Sequence, residues 1–137
     1  MKSTVDSRLE ADSHALFDWK NCHLRLHKNA SLPWLIIIPH TDEIEFCDLN
    51  HQLQREITAI SHVIGRHFKS ACGAEKINFA AIGNVVQQLH IHVIGRHRND
   101  PLWPDVVWGN VLPDQTYHPD KLTAISATFK NLLATES

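Results

Sequence analysis

The apolar positions of this chain change period several times, and each change marks an element. Between Asp48 and about Lys69 the residues Leu49, Leu53, Ile57, Ile60, Ile64 and Phe68 step by three or four, predicting a long amphipathic helix capped by Asp48. Just before it the period is two. His23-Leu24-Arg25-Leu26-His27 alternates, Lys28 to Pro33 reads as a turn, and Trp34-Leu35-Ile36-Ile37-Ile38 is an unbroken apolar run ended by Pro39. Together these predict a β-hairpin whose second strand is buried on both faces.

Ile77 to Ile82 is the next strand, and Gly83 with Asn84 turns the chain. Gln88-Leu89-His90-Ile91-His92-Val93-Ile94 then alternates strictly. In such a strand Leu89, Ile91 and Val93 face a core while Gln88, His90 and His92 share the other surface. Ser7 or Asp6 caps a first helix reaching about Trp19, with Leu9, Leu16 and Phe17 on its apolar side. A last helix runs from about Pro119 to Leu133 through Leu122, Ile125, Phe129 and Leu132, after a loop rich in aromatics and proline (Pro101, Trp103, Pro104, Trp108, Gly109). The pattern describes an α+β fold, an antiparallel sheet with one long helix lying across it and further helices at both ends.

The hexapeptide His-Val-Ile-Gly-Arg-His occurs at 62–67 and again at 92–97. Its flanking period assigns the first copy to a helix and the second to a strand, so no duplication is implied. No linker divides the 137 residues, which are expected to form a single domain.

With 13 Lys plus Arg against 15 Asp plus Glu the formal net charge is −2, too little positive field for duplex DNA or RNA. A small phosphorylated ligand needs only a few local donors and stays open. Cys22, Cys47 and Cys72 are widely spaced with no Cys-x-x-Cys pair, which argues against a disulfide framework or a cysteine zinc site and fits a reducing cytoplasm. Asp6, Arg8, Glu10 and Asp12 stand where a signal peptide would be apolar, and no apolar run approaches a bilayer's width, so no membrane is expected as a partner.

A strand histidine is more often a satisfied surface or core residue than a catalyst, and 11 histidines in the chain weaken any argument from one of them. The combination of His-x-His, an adjoining amide, aliphatic partners and a Gly-Asn turn is stronger than its members. Two imidazoles on one strand face suit nucleophilic, acid–base or metal chemistry. A metal reading needs a third ligand, such as His97, His27 or an acidic residue, and leaves Gln88 and the Gly-Asn turn without a purpose.

The stretch Gly83-Asn84-Val85-Val86-Gln87-Gln88-Leu89-His90-Ile91-His92-Val93-Ile94 resembles the signature of the histidine triad (HIT) superfamily, His-φ-His-φ-His-φ-φ with φ hydrophobic. The order of elements resembles that fold over most of the chain. The departure is Gln88 at the first triad position, so the variant here is Gln-x-His-x-His.

The resemblance implies that His90, at the central position, is the nucleophile that attacks the α-phosphate of a nucleotide and forms a nucleotidyl-histidine, which water then hydrolyses. It implies that His92 donates to a phosphate oxygen, that Asn84 contacts the phosphate or leaving-group oxygen, and that His27 and Asn29 lie where relatives contact ribose. No cofactor or obligatory metal is implied in the chemical step, and a homodimer is.

An amide at position 88 donates a hydrogen bond but relays no proton near neutral pH. That tilts the expectation toward dinucleoside polyphosphates, whose leaving group needs little protonation, and away from phosphoramidates. The competing expectation is a nucleotide-binding protein with little turnover. Trp103 and Trp108 are expected to pack an interface or cover a base. Arg96 and His97 read as a solvated loop end or a phosphate contact.

Overall fold

The computed structural model describes residues 4–136. Five strands, β1 (Ser13–Trp19), β2 (Cys22–His27), β3 (Trp34–Pro39), β4 (Lys76–Ala80) and β5 (Ile91–Arg96), form one antiparallel sheet in the order β1-β2-β3-β5-β4. The helices are α1 (Ser7–Asp12), α2 (His51–Ala71) and α3 (Pro119–Leu133). The predicted hairpin is β2–β3, and every residue of β3 is buried.

That burial arises because the sheet has a core on each side. Leu35 and Ile37 of β3 join Leu24, Leu26, Ile91 and Val93 beneath α2 and α3. Trp34, Ile36 and Ile38 point the other way and pack with Ile94, Val86, Leu9 and Val107. Burying each such aliphatic side chain contributes about 1.5–3 kcal/mol, so β3 is the strand around which both layers assemble.

Helix α2 crosses the first of these faces with Leu53, Ile57, Ile60, Val63, Ile64 and Phe68 buried. Its cap is Asn50 rather than Asp48: the Asn50 side chain accepts from the Leu53 N–H at 2.8 Å. Asp48 instead ends a 3-10 turn from Phe46, and Leu49 is buried ahead of the helix. Close packing beneath α2 is set by Gly95, where a Cβ would stand 2.8 Å from Pro33 Cγ and 3.3 Å from Phe68 Cβ.

Other expectations are corrected as well. The first helix ends at Asp12, and residues 13–19 are a strand paired with β2. A register shift between Ala15 and Phe17 breaks the alternation there, so the spacing of Leu16 and Phe17 from Leu9 imitates a helical stripe. Leu9 in fact packs on one face of the sheet, and Leu16 and Phe17 on the other.

The β5 ladder begins at Ile91, three residues after Gln88, although the alternation of faces already holds from Leu89. β4 stops at Ala80, and Gly83, with φ +67°, turns the connection in a conformation that favours glycine. In α3 it is Leu133 that enters the core, while Leu132 is 37% exposed. Among the described residues no helix is long and apolar enough to cross a membrane.

Candidate functional site

The face of the sheet opposite α2 carries a cavity of about 630 Å³ lined by His90, His92, Asn84, His27, Trp34 and Trp108, with α1 supplying Arg8, Leu9 and Asp12. His92 lies in β5 opposite Ile36 of β3, so the sheet register delivers it beside Trp34. His90 follows from the same alternation two residues earlier. Both rings are only 7% exposed, with centroids 5.0 Å apart and planes at 78°.

The two imidazoles are held in complementary ways. His90 Nδ1 lies 2.7 Å from the Gln88 carbonyl oxygen, an acceptor, so in the neutral ring Nδ1 carries the proton and Nε2 the lone pair. His92 Nδ1 accepts from the Trp34 indole N–H at 3.0 Å, which places the proton of a neutral ring on Nε2. Burial, and then the neighbouring His90 and His27 imidazoles, push the His92 pKa down to about 3. His92 is therefore a neutral donor across the physiological range.

His27 completes an aromatic tier, stacked on Trp34 at 3.8 Å with planes 9° apart. Its Nδ1 accepts from the Asn29 N–H at 3.1 Å, and burial lowers its pKa, with Asp12 acting in the opposite sense. Trp108 meets His92 edge-on at 5.3 Å. Trp34 joins the site without having been singled out for it in the sequence, while Trp108, read there as an interface residue or a cover for a base, lines the cavity. The signal for Trp34 was its even spacing from Ile36 on the face that His92 shares, hidden within an apolar run.

Gln88 and Asn29 are not among the cavity-lining residues. Gln88 Oε1 accepts from the Asp6 N–H at 2.7 Å and its Nε2 donates to the Thr4 carbonyl at 2.8 Å, which ties the segment leading into α1 to the one leading into β5. Arg8 adds a bond to the Val85 carbonyl at 3.2 Å. Asn29 accepts from the Ser31 N–H and donates to the Pro113 carbonyl, holding its own turn.

Arg96 is neither a solvated loop end nor a cavity residue. It is 2% exposed, paired with Asp100 at 2.7 and 3.0 Å, and bonded to Asn78 and the Asp105 carbonyl. Trp103 lies 5.8 Å from its guanidinium. His97 is half-buried, its N–H donating to Asp100. Among the described residues no third His, Cys, Asp or Glu converges with His90 and His92 into a metal-ligand group.

Trp34→Phe removes the donor to His92 and is expected to raise the His92 pKa, since Nδ1 becomes free to take a proton. A pH titration of the ring by NMR checks the effect. In the wild type the unfolded chain's histidine at this position titrates near 6.5 while the folded ring stays neutral to about 3. Its contribution to stability is thus full above 6.5 and falls as pH drops toward 3.

A family model for the HIT domain matches residues 8–99. Comparison with curated proteins gives no match. Among solved structures, a histidine triad protein from Sinorhizobium meliloti is 36% identical with TM-score 0.85, covering 95% of this chain and 96% of its own. One from Marinobacter aquaeolei is 32% identical with TM-score 0.86, covering 98% of each. The diadenosine triphosphate hydrolase of Plasmodium falciparum, 14% identical with TM-score 0.57 over 96% of this chain and 80% of its own, shares the fold alone. With the family match spanning most of its length and relatives 36% and 32% identical over nearly all of it, the chain belongs to the HIT domain family.

Proposed function

We propose that this protein is a nucleotidyl hydrolase or transferase that cleaves nucleoside polyphosphates at the α-phosphate through a covalent intermediate on His90. The observation that carries the reading is the opposed tautomers of the two buried histidines, a lone pair on His90 Nε2 beside an N–H on His92 Nε2. In the first step His90 Nε2 forms a bond to phosphorus, and the bond from phosphorus to the bridging oxygen breaks. The leaving phosphate carries away the electron pair. Water then attacks the same phosphorus and gives up a proton to solvent while the bond from phosphorus to Nε2 breaks and its electron pair returns to the nitrogen, releasing the nucleoside monophosphate and restoring the imidazole.

His92 stabilises the charge that develops on the phosphoryl oxygens, a role that requires a fixed donor and no proton transfer. Asn84, exposed at the turn after Gly83, supplies a further donor to the phosphate or leaving group. His27 and the apolar wall of Trp34, Ile36 and Leu9 receive the nucleoside. Gln88 acts by tying down the segment before α1, one wall of the cavity, while Asn29 shapes the turn that orients His27.

Neither the Gln88 amide nor a neutral His92 hands over a proton near pH 7. The reading therefore includes a leaving group that departs as an anion, as in dinucleoside polyphosphates. Steady-state assays are expected to give a kcat/KM for diadenosine polyphosphate at least tenfold above that for an adenosine phosphoramidate, about 1.4 kcal/mol of transition-state preference. A preference for the phosphoramidate would contradict it. The reading extends to a homodimer, supported by the exposed apolar side chains Phe79, Ile82 and Val85 on and just after edge strand β4.

A further inference from the structure

At the end of the sheet away from the α1 wall, three side chains with metal-binding chemistry meet outside the site described above. Asp18 of β1 and His23 of β2 are direct cross-strand partners, and His40 follows β3 immediately. One ligand atom from each lies within 4.8 Å of the other two. The His23 and His40 rings have centroids 4.2 Å apart. Asp18 Oδ1 is 2.8 Å from His23 Nδ1, and its other oxygen is 4.0 Å from His40 Nε2.

His40 is the telling member. Its Nε2 is buried and has no hydrogen-bond partner among the described residues, a costly state for a polar atom. The ring is not loosely placed. The His40 N–H donates to the Asn21 carbonyl at 2.8 Å, and Asn21 in turn donates from its backbone and side chain to buried Glu56 of α2, both at 3.1 Å. The β1–β2 turn, the exit of β3 and α2 are thereby locked together around the trio. Alongside runs an open cleft of about 510 Å³ that includes His40, Asp42 and Glu43, an acidic approach for a cation.

We propose that Asp18, His23 and His40 form a binding site for a divalent transition-metal ion of the zinc class. Two imidazoles and one carboxylate are zinc's ordinary donors, and three of them leave a fourth position to water. Bonds of about 2.0 Å would bring the donors to roughly 3.3 Å from one another in a tetrahedron, a contraction that side-chain rotation supplies. The ion replaces the Asp18–His23 hydrogen bond and gives His40 Nε2 its partner. His40 lies four residues along β3 from Ile36, the partner of His92, roughly 13 Å at the strand rise. The ion clasps three strands without touching the cavity.

Zinc alone, titrated into the full chain and followed by calorimetry, is the test. Wild type is expected to take up one equivalent with micromolar or tighter affinity and to gain thermal stability. Asp18→Asn and His40→Gln are each expected to weaken binding by about tenfold or more, while His90→Ala binds as wild type. Cobalt in place of zinc is expected to show intense visible bands that His40→Gln abolishes. Asp18 is 58% exposed, so its variant keeps the fold, which circular dichroism verifies. No uptake by wild type, uptake unchanged in both trio variants, or uptake lost in His90→Ala overturns the proposal.

Discussion

Turnover of a dinucleoside polyphosphate is expected to fall by about three orders of magnitude or more in His90→Ala, because the proposed covalent route loses its attacking nitrogen. Three features of the site make His90 the residue on which this depends. Its Nδ1 is committed to the Gln88 carbonyl, which leaves Nε2 as the nitrogen for the proposed attack. The ring is buried against His92 and shielded from bulk water. His92, by contrast, has its Nδ1 occupied by Trp34 and is oriented as a donor. His92→Ala is therefore expected to cost less, about two orders of magnitude, the usual loss for one donor to developing charge. Steady-state rates on the two variants, with circular dichroism to verify folding, check both the size and the order of these effects.

The largest expected loss of stability belongs to Asp100→Ala, which leaves the Arg96 guanidinium buried without its counter-charge. Both side chains of the pair are almost wholly shielded, at 2% and 0% exposure. Removing one partner of such a pair costs about 3–5 kcal/mol, measurable as a shift of the urea midpoint. Asp100 also accepts from the Leu102, Trp103 and His97 N–H groups, so the substitution frees the loop that leads to Trp108 and Gly109 in the cavity lining.

Burial alone would raise the Asp100 pKa, but the Arg96 hydrogen bonds and the backbone donors outweigh it and hold the carboxyl down to about 2. Its stabilising contribution is complete above its ordinary value of 3.8 and is lost as pH falls through about 2. Arg96→Met with Asp100→Leu, which removes both charges together, is expected to recover much of the loss.

The sheet, the long helix and the His-bearing surface were legible in the sequence because each rests on a hydrophobic period that tertiary packing then used. The repeated hexapeptide marks the reach of that signal. Its first copy lies in α2 and its second runs through β5, as the flanking periods predict. Yet Arg66 of the first copy is exposed and Arg96 of the second is buried, and nothing within the six residues distinguishes them. The difference comes from Asp100 and Asn78, which only the folded chain brings to Arg96.

Strand β1 was illegible for a different reason, since its bulge removed the alternation by which a strand is read. Asp48 was read as the α2 cap on residue type, whereas what decides a cap is which side chain reaches a free N–H, and it is Asn50 that reaches that of Leu53. Within the site, His90, His92, Asn84 and His27 all line the cavity. The tautomers did not emerge from the motif alone. They required Trp34, from a strand distant in sequence, and the Gln88 carbonyl, a backbone atom.

The most direct test of nucleotidyl transfer through His90 is intact-mass spectrometry of wild type and His90→Ala after brief incubation with diadenosine polyphosphate, quenched without acid. An adduct of the mass of an AMP moiety, or AMP release, in wild type and in neither form for His90→Ala is the expected result. AMP produced by His90→Ala at the wild-type rate would contradict it, as would an adduct that persists when His90 is gone.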